Sequence, residues 1–401
     1  MMSETKQPTM SRRAREAQPF RAMVFGERAD EMIARSISVI KLSLGEPDFG
    51  APPAVRDAMR EQYDGRALPY TAALGLPELR RAIADFYHER HHVDIDPRRI
   101  VITAGGSAAL LLATALTVDP GDEVIVADPS YPCNRELIRS FEGVVVDVPT
   151  SAATRFHLNA ELVDRAWSER TKAVMVTSPS NPTGTTIDFD VLKGVCDLAR
   201  FRGAWRIIDE TYLDLADREP DGSEVRSALL ADPDAIICNS FSKFFGMTGW
   251  RLGWAVVPEY TIEAVDDLAT NYYLCAHTPT QHAALACFTP ESLAVCEERR
   301  QDARPPPHRR KWSGAHRPAA RSGSERRVLR VFQRRGNRFG RVDVLRACAG
   351  RGACGADSGT GFRPGDRGHA CAAVLRGVAR GVDGGAVPAR KVRRLTAMIL
   401  R

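Results

Sequence analysis

The sequence predicts an α/β protein: a mostly parallel sheet covered by helices, with a second, smaller domain. Two observations carry that prediction. From about Lys41 to Val257, short runs rich in Val and Ile alternate with longer stretches of helical character. The short runs are almost continuously apolar, which is the pattern of strands buried on both faces. In chain order the expected strands are RIVIT, DEVIVADP, GVVVDVP, KAVMVTSP, WRIIDE, AIICNS and GWRLGWAVV. Sheets of this kind collect ligands at the carboxyl ends of their strands, and most of the polar clusters below fall there. Residues 1–40 read as an arm with a short helix. The predicted division is 1–45 for the arm and part of the small domain, 46–298 for the large domain, and 299–401 for a segment of different character.

Composition supports a globular chain. Of 401 residues, 44% are hydrophobic and 26% charged, which excludes a disordered or collagenous protein. No apolar run is long enough to cross a bilayer. The start MMSETKQPTMSRRAREAQPF lacks the apolar centre of a secretory signal, and the nine cysteines show no Cys-x-x-Cys pair. Both predict a cytoplasmic setting with reduced thiols. His88, His91 and His92 sit at helical spacing without a visible set of further ligands, so a solvated helix end is expected rather than a metal site. Cys348, Cys354 and Cys371 likewise lack a zinc pattern.

Chemistry concentrates in four places. In NSFSKFFGMTGWRLGW, Lys243 follows a strand end, with Ser240 three residues before it and Arg251 eight after it. A lysine alone reads as a surface residue, but hydroxyl, amine and guanidinium on one loop suit phosphate recognition beside a nucleophilic amine. In GGSAALLLATAL, Gly105, Gly106 and Ser107 follow RIVIT and open an apolar helix, either as a plain turn or as an anion-binding helix start. In WRIIDETY, Asp209 ends a strand and Tyr212 lies three residues on. That carboxylate is either a helix cap or a buried charge needing a cationic partner. In SPSNPTGT, Asn181 precedes Pro182, where turn chemistry and ligand contact compete.

In this order and spacing the four motifs resemble the fold-type I pyridoxal-phosphate enzymes, specifically the class I/II aminotransferases related to aspartate aminotransferase. The resemblance spans roughly residues 18–300 and includes LSLGEPDF around Gly45 and LPYTAALGLPELR around Tyr70. It implies a homodimer binding pyridoxal 5′-phosphate and moving an amino group between an amino acid and a 2-oxo acid. Lys243 is then the lysine that condenses with the cofactor aldehyde and, once displaced, moves the substrate proton. Asp209 would keep the pyridine nitrogen protonated, Asn181 and Tyr212 would bond the ring hydroxyl, and Tyr131 would stack on the ring. Gly106, Ser107, Ser240 and Arg251 would hold the phosphate, with Tyr70 reaching over from a second subunit. Gly45 would offer its backbone to the substrate carboxylate. A β-eliminating or C–S lyase of the same fold is the alternative chemistry, and a remnant without the cofactor is the non-enzymatic one.

The resemblance stops near Glu298. Residues 301–401 carry 24 Lys and Arg, 22 of them Arg, against 6 Asp and Glu, leaving residues 1–300 at a net −12. Gly crowds into this segment, Tyr is absent, and neither T-P-G-x-x-F-G nor H-V-R-L-S-Y-A of the family occurs. Shifting Asp357–Arg380 by one base permits TPGRGFGPVTAGTHVRLSYAGSR, which contains both, the Arg codon falling across Ala372 and Ala373. A frameshift near Ala303–Pro307 accounts for this, and it predicts a chain that binds cofactor but transaminates poorly. The competing reading, a basic arm for nucleic acid, finds no RNA-binding signature or regular helical stripe.

Overall fold

The computed structural model describes residues 7–302 apart from 38, 40, 42, 43 and 220. Cys348, Cys354, Cys371 and the 357–380 segment lie outside the described residues. The described residues form two compact units: 7–18 with 46–302, and 19–45. In the first unit stands α1 (Arg12–Glu16), capped by Ser11 Oγ accepting from Ala14 N at 3.3 Å. The second unit holds α2 (Arg21–Ala34). Where one short helix was expected in residues 1–40 there are therefore two, separated at Pro19, which lacks an amide hydrogen.

The rest of the first unit runs α3 (Pro53–Glu61), α4 (Pro77–His91), β1 (Ile100–Thr103), α5 (Gly106–Thr117), β2 (Glu123–Asp128), α6 (Pro132–Ser140), β3 (Val144–Pro149), α7 (Ala160–Ala166) and β4 (Thr171–Thr177). It continues with α8 (Phe189–Phe201), β5 (Trp205–Asp209), β6 (Ile236–Ser240), β7 (Gly253–Val256), α9 (Ile262–Tyr273), α10 (Thr278–Ala284) and α11 (Pro290–Asp302). The strands join in the order β1-β7-β6-β5-β4-β2-β3, and only β7 runs against its neighbours.

The predicted strands are all present, and the last starts late. In GWRLGWAVV the strand starts only at Gly253, because Thr248–Trp250 form a 3₁₀ turn and Arg251 takes a left-handed φ of +54° that extended backbone cannot continue. The continuous apolar runs are explained by burial on both sides. On one face Ile100, Ile102, Val174, Val176, Ile208 and Ile237 pack under α3, α4, α7 and α8. On the other, Val101, Ala173, Met175, Ile207 and Ile236 pack under α5, α6 and α9.

His91 departs from the expected solvated helix end. His88 and His92 are exposed, but His91 is buried and its Nε2 lies 3.1 Å from Asp214 Oδ1. The α4 face carrying His91 turns inward with Leu79, Ile83 and Phe86, so the partner is a distant carboxylate that spacing along the helix does not reveal. Burial alone would push the His91 imidazole down, yet the hydrogen bond and charge of Asp214 outweigh it and hold the pKa up. The same carboxylate is 2.8 Å from Arg90 Nε, and Arg90 continues to Glu297 on α11 at 3.3 Å. Arg300 closes the cluster through Glu224 at 2.8 Å and Glu297 at 3.2 Å, tying α11 to α4.

A buried cation left without its carboxylate is strongly destabilising. Asp214→Asn is expected to lower the urea-unfolding free energy by about 3 kcal/mol. The raised His91 pKa adds stability below the unfolded imidazole value that disappears as pH rises through the folded one, and this increment should vanish in the variant. Unchanged stability would remove the pair from the list of structural supports.

Candidate active site

The site forms where β1, β5 and β6 end. After β1 the chain turns at Gly105, whose φ of +87° a side chain would oppose, and enters α5 at Gly106. The first amides of α5 have no partner within the helix, so they present N–H groups with the positive end of its dipole. A Cβ on Gly105 would lie 2.6 Å from Arg251 Nη2, which places the guanidinium over this turn. Arg251 is anchored by Nη1 donating to Thr248 O at 2.8 Å. A Cβ on Gly106 would stand 3.2 Å from Thr211 Oγ1 and 3.3 Å from Ser240 Cβ. Ser240 is the last residue of β6, and its Oγ accepts from Ser242 N at 3.0 Å. Helix amides, two hydroxyls and a guanidinium thus meet in one cup. Ser107, the second residue of α5, is exposed at the same end.

An acid and an amine share the neighbouring space. Asp209 ends β5 with 5% exposure, and its Oδ1 accepts from Thr211 N at 3.0 Å. Burial pushes its carboxyl pKa up, opposed by the Thr211 hydrogen bonds and the charge of Lys243. Lys243 lies three residues past β6, half-buried, with Nζ 5.6 Å from the centre of the Tyr212 ring. Burial lowers its pKa to about 8, with Arg251 adding to the fall and the carboxylates of Glu46 and Asp209 opposing it. Tyr212 is buried beside Asp209, and its pKa rises through that burial and charge while a hydrogen bond with Asn181 restrains it. Tyr131 stands just before α6, partly buried, where its hydroxyl meets the Cys133 thiol and feels the charge of Asp209.

Of the residues singled out from sequence, Gly106, Asn181, Asp209, Tyr212, Ser240, Lys243, Arg251 and Tyr131 come together here, linked by the contacts above. Tyr70 stands apart at 78% exposure, and Gly45 belongs to the second unit. Two neighbours escaped the sequence reading. Thr211 had a signal, a hydroxyl two residues past a strand-ending Asp, and Glu46 stood inside LSLGEPDF beside Gly45.

Comparison with known proteins identifies the family. The pattern of the aminotransferase class I and II family matches residues 37–304. A valine–pyruvate aminotransferase of Mycobacterium tuberculosis is 38% identical over 282 residues, 70% of this chain and 71% of its own. An aspartate/prephenate aminotransferase of Thermus thermophilus is 32% identical over 280 residues, 70% of this chain and 72% of its own. Among solved structures, an aminotransferase from M. tuberculosis superposes with a TM-score of 0.70 at 35% identity, covering 74% of this chain and 76% of that one. The aspartate aminotransferase of T. thermophilus with maleate also scores 0.70, at 32% identity, covering 74% and 78%. The chain belongs to the aminotransferase class I and II family. It is a pyridoxal-phosphate-dependent transferase acting between an amino acid and a 2-oxo acid. The donor set fits that cofactor: a cationic, amide-lined cup for a phosphate, an amine of lowered pKa for an aldehyde, and a buried acid for a ring nitrogen. No helix among the described residues is long and apolar enough to cross a membrane.

Two outcomes follow. A Cβ on Gly253 would lie 2.6 Å from Gly105 C and 2.7 Å from both Gly106 N and Asn239 O, all of them backbone atoms. Gly253→Ala should therefore spread the cup and weaken pyridoxal-phosphate binding by about tenfold or more, read by absorbance titration; unaltered affinity would refute this. In cofactor-free protein, acetylation of Lys243 followed by peptide mass spectrometry should rise with a midpoint near pH 8, the lowered amine pKa, and Arg251→Ala should move that midpoint upward. A midpoint at the ordinary lysine value would contradict the burial argument.

Proposed function

We propose that Lys243 is the cofactor-bearing lysine and that the remaining residues divide the work around it. Bound pyridoxal phosphate supplies an aldehyde and an electron-accepting ring. Lys243 Nζ, with its pKa lowered to about 8, has a far larger free-base fraction near neutrality than an ordinary lysine and, once displaced by substrate, takes the proton leaving the substrate Cα. Asp209 balances the charge of a protonated ring nitrogen. Asn181 and Tyr212 donate toward the ring hydroxyl, Tyr131 covers a ring face, and Gly106, Ser107, Ser240 and Arg251 hold the phosphate. The observation that carries this reading is the convergence itself. The amine lies beside the Tyr212 ring within the field of Asp209 and Arg251, and Arg251 lies over the glycine turn that opens α5.

The exposure of Tyr70, next to Pro69 whose carbonyl accepts from Thr278 Oγ1 at 2.9 Å, supports a homodimer in which Tyr70 reaches the partner's phosphate site. Gly45 is assigned to the substrate carboxylate. The relatives named above act on aliphatic and acidic amino acids, so the choice of side chain is assigned to residues outside the cofactor cup. Six unpaired cysteines among the described residues support a reducing, cytoplasmic setting.

Residues 1–45 are assigned to the arm and part of the small domain, 46–298 to the cofactor domain, and 299–401 to a segment read out of frame. The family pattern ends at residue 304, at the inferred shift, and the relatives match over only 71% and 72% of their own lengths. The displaced segment removes the carboxylate-gripping Arg, a contact worth about 1.5–3 kcal/mol. Borohydride reduction of the purified chain with pyridoxal phosphate is expected to mark Lys243. Half-transamination should be slower than in a version with the frame restored at codons 303–307. Label on another lysine would overturn the site, and equal rates would overturn the frameshift.

A further inference from the structure

Behind the cup lies a buried amide with both ends bonded. Asn239, next to last in β6, is 2% exposed. Its Oδ1 accepts from Ser240 N at 2.7 Å, and its Nδ2 donates to the hydroxyl of Tyr87 on α4 at 3.2 Å. Tyr87 is itself fully buried, with its ring edge-on to Trp254 of β7 at 6.4 Å and near His91 at 5.5 Å. With both ends of the amide committed, the side chain has a single orientation, since turning it over would set donor against donor at Ser240. Its backbone is equally constrained. The Asn239 carbonyl oxygen is 2.7 Å from where a Gly253 Cβ would stand and 3.5 Å from that of Gly106. Asn239 is thus the point at which β6, β7 and the start of α5 are held in register.

We propose that Asn239 is a positioning residue for the phosphate end of the cofactor site, orienting Ser240 and the first amides of α5 from behind while touching no ligand atom. The inference rests on the phosphate cup assigned above. Replacing Asn239 by Ala leaves Ser240 N–H without its partner in a water-excluded place and cuts the link to the Tyr87 hydroxyl, so the strand end relaxes and the cup loses its geometry. The lysine, three residues beyond Ser240, does not depend on this bond.

The test compares two ligands on the full-length chain: pyridoxal phosphate, and pyridoxal, which has the same aldehyde and ring but no phosphate. Adduct absorbance gives an affinity for each. Wild type should favour pyridoxal phosphate strongly. Asn239→Ala should weaken pyridoxal-phosphate binding by about tenfold and leave pyridoxal within about twofold, so that the preference collapses. Tyr87→Phe, which keeps the ring and drops only the hydroxyl, should shift the preference in the same direction by less, and it carries the comparison alone should Asn239→Ala not fold. A variant that keeps the full preference, or loses both ligands equally, overturns the positioning role. A wild type indifferent to the phosphate overturns the cup itself, a separate failure.

Discussion

The site depends on one steric constraint: three backbone segments meet so closely that no side chain fits between them. Gly105, Gly106 and Gly253 are the residues at that meeting, and the atoms a Cβ would strike are mostly main chain or the guanidinium of Arg251. Only such proximity lets a strand end, an antiparallel neighbour and a helix start offer their polar groups to one small anion. The reversed direction of β7 belongs to the same arrangement. Because β7 runs back alongside β6, Arg251, just before it, returns to the level of Ser240, which pairs with Gly253 across the ladder.

The chemistry beside the cup is set by burial more than by contact. Lys243 and Asp209 are shifted first by the loss of water, the amine downward and the acid upward, and each is then partly pulled back by the other's charge. A half-buried amine so placed is reactive without a dedicated base, and a buried acid so placed favours a cationic neighbour. Tyr212 completes the pattern, close to both and restrained by Asn181.

Away from the site a second polar network, His91, Arg90, Asp214, Glu224, Glu297 and Arg300, holds α11 against α4. It stands immediately before the point where the family pattern ends. The sheet is therefore braced by α11 up to that boundary, in a chain whose residues 305–401 lie outside the matched pattern.

Much of this was legible from residues alone. Continuous Val and Ile runs mark strands buried on two faces, and the glycine turn after RIVIT, the strand-ending Asp209 and the Ser240–Lys243–Arg251 spacing are local signals, readable because each lies within one turn or strand end. Partnerships across the fold were not legible. His91 meets Asp214 across 123 residues, Asn239 meets Tyr87 across 152, and the charge of Glu46 acts on Lys243 from far back in the chain. Those pairings, like the inward turn of α4 and the late start of β7, follow from which faces pack together. Packing is a property of the assembled layers, whereas the motifs are properties of single loops.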